Sequence, residues 1–423
     1  MKNFRIIVGV LLAFLASCSS VKKSIIALES KYEYNAGFYL LDPTTNKVLA
    51  DYRSDKYFTP ASNTKVYTLY AVNQVLPDSI PAFKFIETDT ALLVWGLADP
   101  SFLNPLLSQG NTYAFLSNHQ KMYLSHSNFE GDRFGAGWAW DDYNGAYSQE
   151  LSGFPIYGNS VNFNVDSISK KLIINPPVFE DSISVSEGDK YSIQRQENAN
   201  FFEIEKGDCQ NCKRLRPIRF LGLTLQRLLQ DTLNIPVIIK PISLPTNAQT
   251  FYSIPKDSVL KVMMQESDNF LAEHLLLSVA GELTDTLSTK KGIREVSKKM
   301  ESFMPNRLVW RDGSGLSRYN LVTPQNMVTL WGQLYNDMGE ERLFSIISVG
   351  GQRGTLTHWF KAETPYIYGK TGTLSNVFNL SGFLIAKSGK RLIFSYTNNN
   401  YLVSSSVIKK EMELILRDVY EKY

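Results

Sequence analysis

Three short strings constrain this chain more than any other feature, because of the distances that separate them: Ser62-Asn63-Thr64-Lys65, Ser267-Asp268-Asn269 and Lys370-Thr371-Gly372-Thr373. Ser62 and Ser267 lie 205 positions apart, whereas Ser267 and Lys370 lie 103 apart. Connections inside a compact domain are short, so residues of one site held that far apart need an independently folded stretch between them. The expected organisation is an inserted domain at 84–245, with 25–83 and 246–423 folding together around it. At 423 residues and 43% hydrophobic content, the chain is long enough to bury a sizeable core and exceeds one ordinary domain.

The first string has the spacing of a helix face. Residues three apart meet on a helix, so Ser62 and Lys65 come within hydrogen-bond reach. Thr59-Pro60-Ala61 is a turn-like lead-in, and Val66, Leu69, Tyr70, Val72, Val75 and Leu76 recur at helical spacing until Pro77. A serine hydroxyl is a weak nucleophile that needs a base beside it, and a desolvated lysine is suited to that task. The same residues would also suit a helix cap and a solvated lysine. Ser267, Asp268 and Asn269 fall between two apolar helical stretches, so the second string reads as an inter-helix loop. There Ser267 would pass a proton towards a leaving group and the Asn269 amide would orient substrate or Lys65; helix capping explains them equally. Lys370-Thr371-Gly372-Thr373 follows Tyr366-Ile367-Tyr368 and reads as a strand. Gly372 permits close approach of another backbone and makes room for substrate.

The outer pieces read as α+β. Gly37–Leu41 with Lys47–Ala50, and Gly382–Ala386 with Arg391–Tyr396, look like hairpins, and the stretch from Val407 to Tyr420 carries apolar residues at helical spacing. Within the expected insert, Val161–Val165 and Lys171–Ile174 look like strands, while Pro176–Arg216 is polar and would hold small strands or a loop. Net charge is +3, with no basic block to argue for nucleic acid. The four histidines are scattered, with no Gly-x-Ser-x-Gly elbow, His-Glu-x-x-His metal motif or phosphate-cradling glycine loop, so neither a metal nor a cofactor is expected. His274 falls on an apolar helical face and reads as a packed core residue.

Asp312-Gly313-Ser314-Gly315-Leu316-Ser317-Arg318-Tyr319-Asn320 and Val349-Gly350-Gly351-Gln352-Arg353-Gly354-Thr355-Leu356, added to the three strings, give a resemblance to the D-alanyl-D-alanine carboxypeptidase/endopeptidase family, the class C low-molecular-weight penicillin-binding proteins. Trp95–Ser101 and Gly137–Asp142 are weaker matches, and Trp95–Pro100 departs from the more glycine-rich run usual there. The resemblance implies a β-lactamase/transpeptidase-like domain, an antiparallel sheet flanked by helices, with a β-rich inserted domain between the first and second strings. It implies an acyl-enzyme at Ser62, with Lys65 as base, Ser267 as proton relay and Asn269 orienting substrate. Lys370, Thr371, Gly372 and Thr373 would bind substrate, and the backbone N–H groups of Ser62 and Thr373 would form the oxyanion hole. Peptidoglycan stem peptides and β-lactams are the implied partners. A β-lactamase, and a non-catalytic wall-binding module of the same fold, remain the alternatives.

The N-terminus points out of the cytoplasm. Lys2 and Arg5 precede the apolar run Ile6–Leu15, too short to span a bilayer, and Leu15-Ala16-Ser17-Cys18 resembles a bacterial lipobox. Cleavage after residue 17 would leave a lipidated Cys18 anchoring the protein to a membrane on the periplasmic side of the envelope. In that oxidising compartment Cys209 and Cys212 are expected to form a local disulfide.

Overall fold

The computed structural model describes residues 21–166, 171–209, 212–220 and 222–423; the expected signal segment, residues 1–17, and Cys18 lie outside the described residues. The chain divides into two compact units, one of residues up to Asn73 with Leu260–Asp268 and Arg294–Tyr423, the other of Gln74–Val259 and Asn269–Ile293. The strings and the chain end fall at four helices. The first string runs into α1 (Lys65–Val75), the second lies between α2 (Lys256–Gln265) and α3 (Asn269–Thr284), and α4 (Ser405–Lys422) closes the chain.

The first unit is built on a six-stranded antiparallel sheet of β1 (Asn35–Asp42), β2 (Lys47–Tyr52), β3 (Ser348–Val349), β4 (Ile367–Leu374), β5 (Val377–Ile385) and β6 (Arg391–Asn399), in the order β3-β4-β5-β6-β1-β2. Both expected hairpins are present, with Leu40 opposite Ala50 and Phe383 opposite Ile393. Side chains alternate across a strand, and β5 shows both faces. Phe378, Leu380 and Leu384 join Phe38, Phe394 and Tyr396 in a core closed by Val21 and Ile25 and by Ile408, Met412, Leu416 and Val419 of α4. The alternate residues Ser381 and Phe383 meet Trp331, whose Nε1 donates to Ser381 Oγ at 2.9 Å. This second face is where the turn that carries Ser62 sits.

The second unit holds a five-stranded mixed sheet in the order Val237–Ile239, Met122–Ser125, Leu92–Gly96, Ser79–Glu87, Gln249–Pro255, and two three-stranded sheets. The expected strands pair as Ser160–Val165 with Leu172–Asn175. The polar stretch after Pro176 supplies Ile183–Lys190, Ser192–Arg195 and Phe202–Asp208, which form the other small sheet. Cys209 and Cys212 are joined in a disulfide with Cα atoms 5.6 Å apart. This unit is wider than 84–245: it begins at Gln74, runs on to Val259, and takes in Asn269–Ile293 with α3. Phe270, Leu271, Leu275, Leu276 and Leu277 are all buried, and a helix that is apolar on every side needs cover all round. Leu277 finds part of it against Ala98, Leu151 and Leu287.

His274 of α3 is fully buried and fixed as one neutral tautomer, its Nδ1–H donating to Phe270 O (2.9 Å) while Nε2 accepts from Ser152 N (3.3 Å). Burial pushes its pKa down to about 4 from the ordinary 6.5. The unfolded chain therefore binds a proton that the folded chain refuses. Stability from this residue is complete above about pH 6.5 and is lost as pH falls towards 4, with a limiting slope of about 1.4 kcal/mol per pH unit. Urea melts between pH 4 and 7 should show this slope in the wild type and lose it in His274→Gln; an identical slope in both would remove His274 as its source.

Candidate active site

Ser62 lies in a 3-10 turn, Ala61–Thr64, that runs straight into α1. The spacing of three brings Lys65 Nζ to 3.0 Å from Ser62 Oγ. Lys65 is wholly buried, and its Nζ also donates to the Ser314 carbonyl at 2.8 Å. That carbonyl is held by the loop of the string Asp312–Asn320. The buried Asp312 carboxylate accepts from Gly315 N (2.8 Å), Ser317 N (2.6 Å) and Asn320 Nδ2 (2.7 Å), and Thr68 Oγ1 of α1 donates to Gly313 O (2.6 Å). Gly315 has φ +84°, and a Cβ on it would stand 1.9 Å from Ala61 O. The string is thus a rigid loop that aims a carbonyl at Lys65, a role that an aspartate two residues ahead of a serine hints at through its turn chemistry.

The turn is also pinned from below. Asn379 Nδ2 donates to Thr59 O (2.8 Å) and Pro60 O (2.9 Å), Thr59 N donates to Asn399 Oδ1 (2.7 Å), and Ser381 Oγ donates to Asn63 Oδ1. Neither Asn379 nor Asn399 was marked by sequence, since nothing in a strand's local pattern says which turn its polar side chains will reach.

Ser267 stands in the loop between α2 and α3 with φ +60°, a left-handed conformation that costs a non-glycine residue about 1–3 kcal/mol and clusters at functional positions. Its Oγ accepts from Lys370 Nζ at 2.8 Å, and Lys370 also donates to Thr371 O (2.9 Å). Lys370 is wholly buried. Desolvation first, and then the Lys65 charge, hold its pKa well below the usual lysine range. Each serine of the first two strings therefore has its own buried lysine, and the two lysines repel one another's protons.

Registry fixes what β4 offers. Lys370 lies opposite Ser381 and Gly372 opposite Asn379, so both face the nucleophile turn; Thr371 and Thr373, opposite Leu380 and Phe378, share the face covered by α4. Gly372 differs from expectation. The atoms a Cβ there would meet are Pro60 O at 2.4 Å and Asn63 Nδ2 at 2.8 Å, so the space it leaves is filled by the turn that carries Ser62, and the close approach is between two parts of the protein itself. Thr371 Oγ1 donates to Thr355 Oγ1 (2.8 Å), which brings the string Val349–Leu356 beside β4, while Thr373 is exposed. Asn269 belongs to the second unit, where it opens α3 and donates through Nδ2 to Tyr147 O (2.9 Å). Among the described residues no cluster of three or more His, Cys, Asp or Glu could hold a metal.

A family model, the D-Ala-D-Ala carboxypeptidase 3 (S13) family, matches residues 23–213 and 224–419. The chain belongs to this S13 family. Membership sets the reaction class as hydrolysis at D-Ala-D-Ala. The D-alanyl-D-alanine carboxypeptidase DacB of Haemophilus influenzae is 24% identical over 427 residues, covering 87% of this chain and 86% of that protein. The crystal structure of penicillin binding protein 4 (dacB) from H. influenzae superposes with a TM-score of 0.76 at 20% identity over 95% of this chain and 99% of that one. A second structure of that S13 relative, complexed with a β-lactam, gives 0.68 at 19% identity over 92% and 97%. The penicillin-recognising fold expected from the strings is the fold present. Among the described residues no helix is long and apolar enough to cross a membrane.

Proposed function

We propose that the protein is a serine D-alanyl-D-alanine carboxypeptidase and endopeptidase that works through an acyl-enzyme at Ser62. Ser62 Oγ attacks the D-Ala carbonyl and its proton passes to Lys65 Nζ, 3.0 Å away. The tetrahedral oxyanion is met by the backbone N–H groups of Ser62 and Thr373. Collapse breaks the C–N bond, and the departing amine takes a proton through Ser267 Oγ, which Lys370 holds. Water then attacks the acyl-enzyme by the same route. Lys370 and the Thr371 and Thr373 hydroxyls attract the carboxylate of the departing residue. The observation that carries this reading is the pair of buried lysines, each within 3.0 Å of a serine from a different string.

The chain places its chemistry where its leader would send it. A lipoprotein anchored at Cys18 on the periplasmic side of the envelope meets peptidoglycan, and a Cys209–Cys212 disulfide suits that compartment.

The full chain in detergent, incubated with benzylpenicillin and followed by intact mass, should gain one lasting adduct. Peptide mapping should place it on Ser62, and Ser62→Ala should lack it and fail to release D-Ala from a pentapeptide. Rapid loss of drug without an adduct would make the protein a β-lactamase. No adduct and no drug loss would make it a non-catalytic module.

A further inference from the structure

The face of β4 turned away from Ser62 holds a cleft of about 230 Å³, lined by Thr371 and Thr373 of β4, Phe378 of β5, Thr355, Leu356, Trp359 and Phe360 from the string after β3, and Lys409 from α4. It begins at the two hydroxyls that the proposed mechanism gives to the departing residue's carboxylate. Its far wall is aromatic and cationic. Lys409 is half-buried, with Nζ 5.0 Å from the Phe378 ring centre and 5.8 Å from that of Trp359. The acid one turn further along α4, Glu413, is engaged elsewhere, accepting from Phe360 N at 2.6 Å. Burial alone shifts Lys409, downwards, which marks an ammonium short of both water and a countercharge.

Such a group is stabilised by an anion brought to it, and hydrocarbon leading to that anion would lie against Trp359 and Phe378. A scissile bond at Ser62, on one face of β4, and a cleft on the other face, reached past Thr373, put the acyl half of a substrate and its leaving half on opposite sides of the strand edge. We propose that this cleft is the subsite for the side chain of the leaving D-amino acid, and that it selects a hydrocarbon side chain ending in a carboxylate. The inference rests on the proposed function and deepens it. A D-Ala leaving group has only a methyl to offer the cleft, whereas a D-amino acid with a long acidic side chain would reach Lys409.

The test uses the full chain and one acyl donor ending in D-Ala, joined in turn to D-alanine, D-2-aminoadipate and D-lysine. The wild type should show kcat/KM about tenfold higher for the aminoadipate than for the lysine leaving group, and Lys409→Glu should reverse that order. Trp359→Ala, with circular dichroism melts confirming that both variants are folded, should lower the rates for both long side chains relative to D-alanine. Equal wild-type rates for aminoadipate and lysine, or an order unchanged in a folded Lys409→Glu, would overturn the subsite while D-alanine release left the acyl-enzyme reading standing. Failure of the wild type to cleave any of the three and to be acylated by benzylpenicillin would overturn both.

Discussion

Lys65→Met should slow acylation of Ser62 by benzylpenicillin by about 10³- to 10⁴-fold at pH 7 and leave the melting temperature unchanged or higher. The two halves of this expectation have different origins. Rate is lost because the nucleophile keeps its proton: Lys65 Nζ, 3.0 Å from Ser62 Oγ, is the proposed base, and residues that act as a unit fail together. Stability is kept because methionine has nearly the length of lysine and brings no polar group to be desolvated in the core. The Ser314 carbonyl loses a donor, at about 1–3 kcal/mol. Against this, Lys370 is released from the neighbour that helps depress its pKa. Intact-mass time courses beside thermal melts would measure both. Acylation at the wild-type rate would take Lys65 out of the mechanism, and a collapse of the melt would show that its role is in folding.

Gly372→Ala should lower acylation by at least about 10²-fold with a loss of only about 1–3 kcal/mol in stability. The added methyl would point at Pro60 O and Asn63 Nδ2, at 2.4 and 2.8 Å, so either β4 or the nucleophile turn must give way. The turn is anchored by Asn379 and Asn399, and β4 is paired along its whole length with β5. Neither yields cheaply, and a displacement of a fraction of an ångström separates Ser62 from the proposed Thr373 oxyanion donor. Normal acylation in a folded Gly372→Ala would show that the spacing of strand and turn does not set the reacting geometry.

What could be read from the sequence was what neighbours along the chain determine. The two hairpins, the closing helix, the serine at the start of α1 and the loop setting of Ser267 follow from periodicity and turn residues, and all are present. What could not be read depends on distant partners. Burial of α3 carries Asn269–Ile293 into the second unit, although Asn269 follows directly on the loop of Ser267. The asparagines under the Ser62 turn lie 320 and 340 positions from Thr59 in sequence and carry no local signal. Asp312–Asn320 was visible as a signature, but its physical task, presenting the Ser314 carbonyl to Lys65, depends on a partner 249 positions away. Lys409 carries no local signal either, since only the fold brings α4 and β4 to opposite walls of one cleft.

The edge of the main sheet has a consequence for solubility. β3 is two residues long and covers β4 only at Tyr368 and Gly369, which leaves the edge from Lys370 to Leu374 without a neighbouring strand among the described residues. An open edge that can accept a peptide is also a template for misassembly with another chain. Stacked assemblies need segments of about six or seven residues, and this opening offers fewer, with a buried lysine at one end and a glycine in its middle. The brevity of β3 thus leaves room for a short peptide strand, while the end of β4 at Leu374 keeps that opening shorter than the segments stacked assemblies use.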